Sequence, residues 1–174
     1  MRIFLIAGKA GSGKADVARY IKEYYIYKLE ESVITEYSKY IKLFAKELTD
    51  WDGQNANKPR RYLQLTGAEL RSMDPNYFTR RMIEDIDFYK NHVQNIIIDD
   101  VRMPNELKAI YDSYDNVYSI YVINQFSTSK LSIEEQSDIT ETALEEYPDF
   151  DLTLINDDEK TLKDKVFKFL EDNE

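Results

Sequence analysis

Cysteine is absent from this chain of 174 residues, which excludes a disulfide framework and catalysis by a thiolate. The sequence also lacks any run of about eighteen apolar residues, the length that a membrane-spanning helix needs. Its formal net charge is −10, and a uniformly acidic surface repels nucleic acid. We therefore expect a cytoplasmic protein that binds neither a membrane nor duplex nucleic acid.

Positive charge is scarce and unevenly distributed. Between Lys58 and Arg81 there are six basic residues and only two acidic ones, and no arginine follows Arg102. A local positive region in an acidic chain indicates a site for a small anionic ligand, and a solvated helix face is the plain alternative.

Short apolar runs alternate with segments of helical periodicity. Such runs are typical of strands in a parallel sheet. They occupy residues 2–7, 32–36, 95–101, 117–123 and 151–155. The alternation predicts a three-layer α/β/α sandwich around a parallel sheet of about five strands. We expect one domain over 1–174, with a helical insertion at 38–94 and a lid-like excursion at 124–138.

The segment GKAGSGK at 8–14 has the spacing G-x-x-x-x-G-K between a predicted strand and a predicted helix. Glycines let successive N–H groups point at phosphate oxygens, and the start of the helix adds a positive end. Lys14 supplies a point charge for the β- and γ-phosphates of ATP. The predicted ATP-binding residues are Gly8, Lys9, Ala10, Gly11, Ser12, Gly13, Lys14, Ala15 and Asp16. A glycine-rich turn with a chance lysine is the alternative.

Magnesium is the expected cofactor, although Ala15 replaces the hydroxyl residue that usually contacts it in such loops. The ion would be held by the nucleotide, by water, by Ser12 or by a carboxylate. Asp99 and Asp100 end a predicted strand, where parallel sheets bind ligands. We predict Asp100 as the main metal-binding carboxylate and Asp99 as the second, with one of the pair capping the following turn.

The spacing of Arg60, Gln64, Gly67 and Arg71 places them on one helix face. Gly67 would let a ligand or another chain come close. Arg102 directly follows the carboxylate pair, which would place it beside the transferred phosphoryl group. Helical spacing also puts a second set on one side of a helix at 40–48, namely Ile41, Phe44, Ala45 and Leu48. The acidic stretch at 134–146 is predicted to be solvent-exposed.

Four segments together resemble the phage-type deoxynucleoside monophosphate kinases, a branch of the P-loop kinases related in pattern to phosphomevalonate kinase. The first is the loop GKAGSGK. The others are PRRYLQLTGAELRSMDP at 59–75, IIIDDVRMPNEL at 96–107 and ITETALEEYPDFDLTLIND at 139–157. The resemblance covers most of the chain.

The resemblance implies ATP as the donor and a deoxynucleoside 5′-monophosphate as the acceptor of a magnesium-assisted, in-line phosphoryl transfer. Arg60, Gln64 and Arg71 match family positions near the acceptor, and Arg102 and Asp100 match the DVR segment. Tyr37 and Lys42 are further predicted acceptor-binding residues, and the helical insertion at 38–94 is expected to bind the acceptor. The predicted catalytic residues are Lys14, Arg102 and Lys130.

Lys130 is the single cation of the excursion at 124–138, where the family usually carries an arginine. Closure of this segment would bring Lys130 toward the transferred phosphate, and a solvated loop residue is the alternative. Two other functions stay open. One is a kinase for another phosphorylated small molecule such as phosphomevalonate. The other is a nucleotide-binding regulator with weak or no activity. A homodimer is one option for the assembly, and the host cytoplasm is the expected location if a phage encodes the chain.

Overall fold

The computed structural model describes residues 1–124 and 131–174. Within these ranges five strands form a parallel sheet in the order β2-β3-β1-β4-β5, which confirms the predicted architecture. The strands are β1 (Arg2–Ala7), β2 (Ser32–Thr35), β3 (Asn95–Val101), β4 (Val117–Ile123) and β5 (Leu152–Ile155). Strand β1 lies at the centre, so the loop that follows it opens at the carboxyl edge of the sheet, where parallel sheets bind ligands.

Helices cover both faces of the sheet. They are α1 (Lys14–Tyr27), α2 (Lys39–Leu48), α3 (Arg60–Met73), α4 (Tyr77–Tyr89), α5 (Pro104–Ser113), α6 (Ile133–Gln136), α7 (Ile139–Thr142) and α8 (Glu159–Asp172). Helices α2, α3 and α4 occupy the predicted insertion at 38–94. The predicted lid at 124–138 falls partly outside the described residues. Within the described ranges, no helix has both the length and the apolar character needed to cross a lipid bilayer.

Side chains of β1 alternate between two apolar cores. Ile3 and Leu5 pack on one face with residues of α2 to α5, whereas Phe4 and Ile6 pack on the other face with α1 and α8. All four side chains are at most 1% exposed. Burial of one such side chain contributes about 1.5–3 kcal/mol, so both cores hold β1 and the loop that leaves it.

Helix α2 buries a narrower stripe than its sequence indicates. Ile41 and Ala45 are buried, but Phe44 and Leu48 are 59% and 70% exposed. Ile41 reaches α3 at Gly67, where an added Cβ would lie 3.9 Å from its Cδ1 atom. The pair at positions i and i+4 makes the contact with the core, and the other two side chains turn toward solvent.

Candidate active site

The loop between β1 and α1 depends on its glycines. Gly8, Gly11 and Gly13 have φ angles of 141°, 78° and 105°, a region that favours glycine. A Cβ atom at Gly8 would lie 2.4 Å from the carbonyl oxygen of Val122, and one at Gly13 would lie 2.4 Å from Nδ2 of Asn156. The backbone can therefore take this path only without side chains at these positions.

Asn156 braces the loop from the end of β5. Its Nδ2 atom donates to the carbonyl oxygen of Ser12 at 2.9 Å, and its backbone N–H donates to Ile123 at the end of β4 at 2.7 Å. Sequence reasoning missed Asn156, although its place directly after a predicted strand was a usable signal. The Ser12 hydroxyl is buried and has no hydrogen-bond partner within the described residues. This unsatisfied hydroxyl fits a loop built for an oxygen-rich ligand.

Lys14 lies folded over its own loop. Its ammonium donates to the carbonyl oxygens of Gly8 at 2.7 Å and Lys9 at 2.8 Å. Burial, assisted by the positive charge of Arg102, lowers the pKa of Lys14 to about 7. The carboxylates of Glu141, Asp100 and Asp99 act in the opposite direction. A phosphate group at this loop would therefore stabilise the protonated form of Lys14.

Asp16 lies in the first turn of α1, immediately after Ala15. Its carboxylate pairs with Arg19 at 3.1 Å, and both side chains are more than half exposed. The pair therefore lies on the solvent side of the helix. Contact between ATP and Asp16 stays a prediction.

Asp100 holds the beginning of α2. One carboxylate oxygen accepts the backbone N–H of Tyr37 at 2.6 Å. The other oxygen accepts the backbone N–H of Ser38 at 3.0 Å and its hydroxyl at 2.6 Å. We predicted that one member of the carboxylate pair would cap the turn after β3. Asp100 instead binds the chain that leads into α2, because that segment lies beside the end of β3.

The environment of Asp99 differs from that of Asp100. It makes no hydrogen bond or ion pair within the described part of the chain, and burial raises its pKa to about 6, with further contributions from Asp100 and Glu36. Lys42 and Lys14 lie near enough to lower this pKa in turn. The geometry therefore favours Asp99 over Asp100 as the metal-facing carboxylate, the reverse of the predicted order.

A protein cage for the metal is not present among residues 1–124 and 131–174, which contain no group of three or more His, Asp or Glu side chains suited to an ion. Mg²⁺ commonly keeps several waters and binds through one or two carboxylates and substrate phosphates. The free carboxylate of Asp99 and the unpaired hydroxyl of Ser12 are compatible with this mode of binding.

A cleft opens beside the loop, between α3 and the carboxyl end of β3. Its empty volume is about 750 Å³, part of it open to solvent. The structure brings all six predicted acceptor residues to this cleft, namely Tyr37, Lys42, Arg60, Gln64, Arg71 and Arg102.

Five of these six residues already have a hydrogen-bond or ion-pair partner within the chain, and Tyr37 and Lys42 are two of them. The Tyr37 ring is buried, and its hydroxyl donates to the carbonyl oxygen of Glu106 at 3.0 Å. Lys42 forms an ion pair with Glu36. Tyr37 therefore contributes a wall of the cleft, whereas Lys42 contributes a cation whose charge is partly compensated.

Arg71 is held in position by a buried carboxylate that sequence reasoning missed. Glu106 is 1% exposed, and its Oε1 atom lies 3.1 Å from Nη2 of Arg71. Its Oε2 atom accepts the backbone N–H groups of Arg102 at 2.8 Å and Met103 at 3.1 Å. Burial raises the pKa of Glu106, and Arg71 opposes this shift. One carboxylate therefore joins α3 to the segment between β3 and α5.

Gly67 makes room for the Arg71 guanidinium. A Cβ atom at Gly67 would lie 3.1 Å from Nη1 of Arg71, which is tighter than ordinary contact. The guanidinium also lies 4.5 Å from the centroid of the Phe78 ring. We predicted that Gly67 admits a ligand or another chain. In the structure it admits an arginine side chain of its own helix.

Arg102 faces the loop and pairs with Glu141. Its Nη1 atom donates to Oε1 of Glu141 at 2.8 Å, to the carbonyl oxygen of Thr140 at 3.2 Å and to that of Gly8 at 3.4 Å. The second carboxylate oxygen of Glu141 accepts the backbone N–H of Ala10 at 2.8 Å. Glu141 therefore joins Arg102 to the loop.

The prediction of an exposed acidic stretch at 134–146 holds for Glu134, Glu145 and Glu146 but not for Glu141. The Glu141 side chain is only 8% exposed, and Glu145 pairs with Lys9 and raises the pKa of that lysine. Asp138 caps α7 by accepting the backbone N–H of Thr140 at 3.0 Å. The only signal in the sequence for the contact between Glu141 and the loop was the resemblance of 139–157 to a kinase segment.

A second cleft lies on the other side of the loop, between the end of β4 and helices α6 and α7. Glu141 lines both clefts. Glu141 therefore lies between the two spaces. The predicted catalytic residue Lys130 lies outside the described residues.

No family model matches the chain, and no curated protein matches it in sequence. Solved structures do match it. A sugar kinase from Janibacter sp. HTCC2649, unliganded, is 14% identical with a TM-score of 0.61, and the match covers 98% of this chain and 95% of that one. An APS kinase from Mycobacterium tuberculosis, in complex with AMPPNP and APS, is 13% identical with a TM-score of 0.53, covering 98% and 97%.

Shikimate kinase from Aquifex aeolicus is a further match, 11% identical with a TM-score of 0.53, covering 99% of this chain and 98% of that one. All three are kinases, and all match over nearly their whole length. At such low identity the likeness shows the fold alone. The chain has the α/β fold of P-loop kinases.

Proposed function

We propose that the protein is an ATP-dependent kinase that converts a deoxynucleoside 5′-monophosphate into the diphosphate. One observation carries this proposal: the cleft lined by Arg60, Gln64 and Arg71 lies next to the glycine-rich loop at residues 8–13. Arg102 lines this cleft and also contacts the loop at Gly8. Phosphoryl transfer depends mainly on alignment and on neutralisation of charge. A cationic cleft next to a phosphate-binding loop supplies both.

The donor side uses the loop and two cations. Loop N–H groups and Lys14 would hold the β- and γ-phosphates of ATP. Arg102 lies between the loop and the cleft, so its guanidinium would neutralise charge on the group in transfer. Magnesium bound to the phosphates and to Asp99 would add charge neutralisation at the same place.

The cations of the cleft favour an acceptor that is already phosphorylated. Within the described residues the Arg60 guanidinium makes no ion pair, and Arg71 has one carboxylate partner, Glu106. Buried or half-buried cations without partners are unfavourable. A neutral acceptor would leave them uncompensated, whereas a phosphate monoester brings two negative charges.

Gln64 favours a nucleotide over phosphomevalonate. Its Nε2 atom donates to the carbonyl oxygen of Glu135 at 3.2 Å, which fixes the amide, and its Oε1 atom is buried without a partner in the described structure. Ile41, Leu63 and Phe78 form an apolar wall of the same cleft. A nucleobase offers a flat apolar face and N–H donors, which phosphomevalonate lacks. The preference for deoxyribose rests on the sequence resemblance alone.

The test is an ADP-release assay with ATP, Mg²⁺ and each common nucleoside or deoxynucleoside monophosphate, with phosphomevalonate as the rival acceptor. We expect turnover with at least one deoxynucleoside monophosphate, and loss of turnover in Lys14→Ala. Gln64→Leu should raise KM for the nucleotide and leave KM for ATP unchanged. Turnover of phosphomevalonate alone would overturn the nucleotide assignment. Nucleotide binding without any turnover would support the regulator instead.

A further inference from the structure

Lys58 lines the acceptor cleft, although it was not among the predicted acceptor residues. It follows the short 3₁₀ turn at 55–57, and only Pro59 separates it from the first residue of α3. Its side chain therefore enters the cleft near that of Arg60, at the end of the helix that carries Gln64 and Arg71.

The Lys58 ammonium is surrounded by cations and has no anionic partner of its own. It makes no hydrogen bond or ion pair within residues 1–124 and 131–174. The charged groups that face it are Lys42 on α2, Arg60 on α3, Arg102 after β3 and Glu36 after β2. Glu36 is itself paired with Lys42.

Burial of this kind is unfavourable for a lysine. Burial first, and then the charges of Lys42 and Arg60, lower the pKa of Lys58 to about 8. A half-buried cation among other cations is stable only if an anion arrives or the proton leaves. The surroundings of Lys58 therefore favour the binding of an anion.

We propose that Lys58 binds the phosphate of the acceptor and forms, with Arg60, the subsite for its dianion. The nucleotide identity of the acceptor rests on the proposed function, whereas the anion subsite does not. Lysine suits this role as a compact point charge that approaches a tetrahedral phosphate from any side. Above pH 7 a phosphate monoester is largely dianionic, so its charge stays constant there.

The proposal predicts a pH dependence with a definite sign. Only the protonated ammonium attracts the dianion, so binding is strongest below the pKa of Lys58. Between pH 7 and pH 9 the protonated fraction falls about tenfold, and affinity should fall by up to the same factor. Arginine stays protonated in this range, so Lys58→Arg should keep its affinity at pH 9.

The experiment uses methyl phosphate as the probe, a monoester that is largely dianionic above pH 7, with Mg²⁺ and ADP present to occupy the loop. Binding is followed by ³¹P NMR titration for the wild type, Lys58→Met and Lys46→Met. Lys46 is the matched control, because it is an exposed lysine of the same region that does not line the acceptor cleft. Lys58→Met should weaken phosphate binding about ten- to a hundredfold at pH 7, and Lys46→Met should not.

The outcomes distinguish the role of Lys58 in phosphate binding from the proposed kinase activity on nucleotides. Unchanged phosphate affinity in Lys58→Met, or an equal loss in Lys46→Met, overturns the role of Lys58 even if nucleotides are phosphorylated. Loss of phosphate binding in Lys58→Met supports the subsite even if no nucleotide is accepted. Should Lys58→Met not fold, Lys58→Arg decides, because a wild-type pH profile in that variant would contradict the proposal.

Discussion

Binding of ATP should transfer a proton from solvent to Lys14. In the ligand-free protein the ammonium lies against two loop carbonyls, and burial together with Arg102 lowers its pKa to about 7. The β- and γ-phosphates bring negative charge to this ammonium, so the pKa rises when ATP binds. The binding equilibrium is therefore linked to protonation.

The magnitude follows from the pKa of the free form. At pH 8 about nine-tenths of ligand-free molecules carry neutral Lys14, so binding should take up about 0.9 proton; at pH 6 the uptake should be about 0.1 proton. ATP affinity should be highest below pH 7. It should fall by at most about tenfold for each pH unit above that value, until the pKa of the bound form is reached.

Titration calorimetry with a non-hydrolysable ATP analogue and Mg²⁺ measures this uptake, since the observed enthalpy depends on the ionisation enthalpy of the buffer. At pH 8 Asp99 does not contribute, because its pKa of about 6 lies well below. Lys14→Arg is the comparison, and any binding that survives in it should be nearly proton-neutral. A wild-type protein that takes up no proton at pH 8 and binds equally well at pH 7 and pH 9 would refute the reasoning.

Three further predictions concern neighbouring residues. Asp100→Asn should lower the free energy of unfolding in urea by about 1–3 kcal/mol, because it weakens the acceptor of three hydrogen bonds. Asp99→Asn should not lower the free energy of unfolding, but it should lower the magnesium-dependent kcat. If Asp100→Asn lowers kcat and Asp99→Asn does not, Asp100 is the main metal-binding carboxylate, as the sequence predicted. Gly67→Ala should raise the acceptor KM but not the ATP KM, because its Cβ would displace Arg71, and equal changes in both would contradict this. Glu141→Gln should lower kcat about tenfold by weakening two charge-assisted contacts, and an unchanged kcat would show that Glu141 serves stability only.

The sequence by itself determined the features that depend on local spacing. The interval between Gly8 and Lys14 predicts the loop, because its geometry arises within one short segment. Apolar runs identified the strands, since a strand buried on both faces cannot carry regular polar alternation. The helical repeat likewise put Arg60, Gln64 and Arg71 on one face, and the structure places all three in one cleft.

Periodicity was less informative about the partners of each face. Helical spacing grouped Ile41, Phe44, Ala45 and Leu48, yet only the first and third are buried. Helical periodicity predicts which side chains lie on the same side of a helix, but it does not predict which of them are buried. How many of these side chains are covered depends on the neighbouring helix, and Ile41 is the one that lies against α3 at Gly67.

Only the tertiary structure decided which charges meet. Asp99 and Asp100 are adjacent in sequence, but within the described residues the segment leading into α2 donates hydrogen bonds to Asp100 and none to Asp99. Glu141 is 131 positions from Ala10, and no local pattern predicts their hydrogen bond. Charge pairs act through space over a few ångströms, so their partners are set by the path of the chain and not by sequence distance.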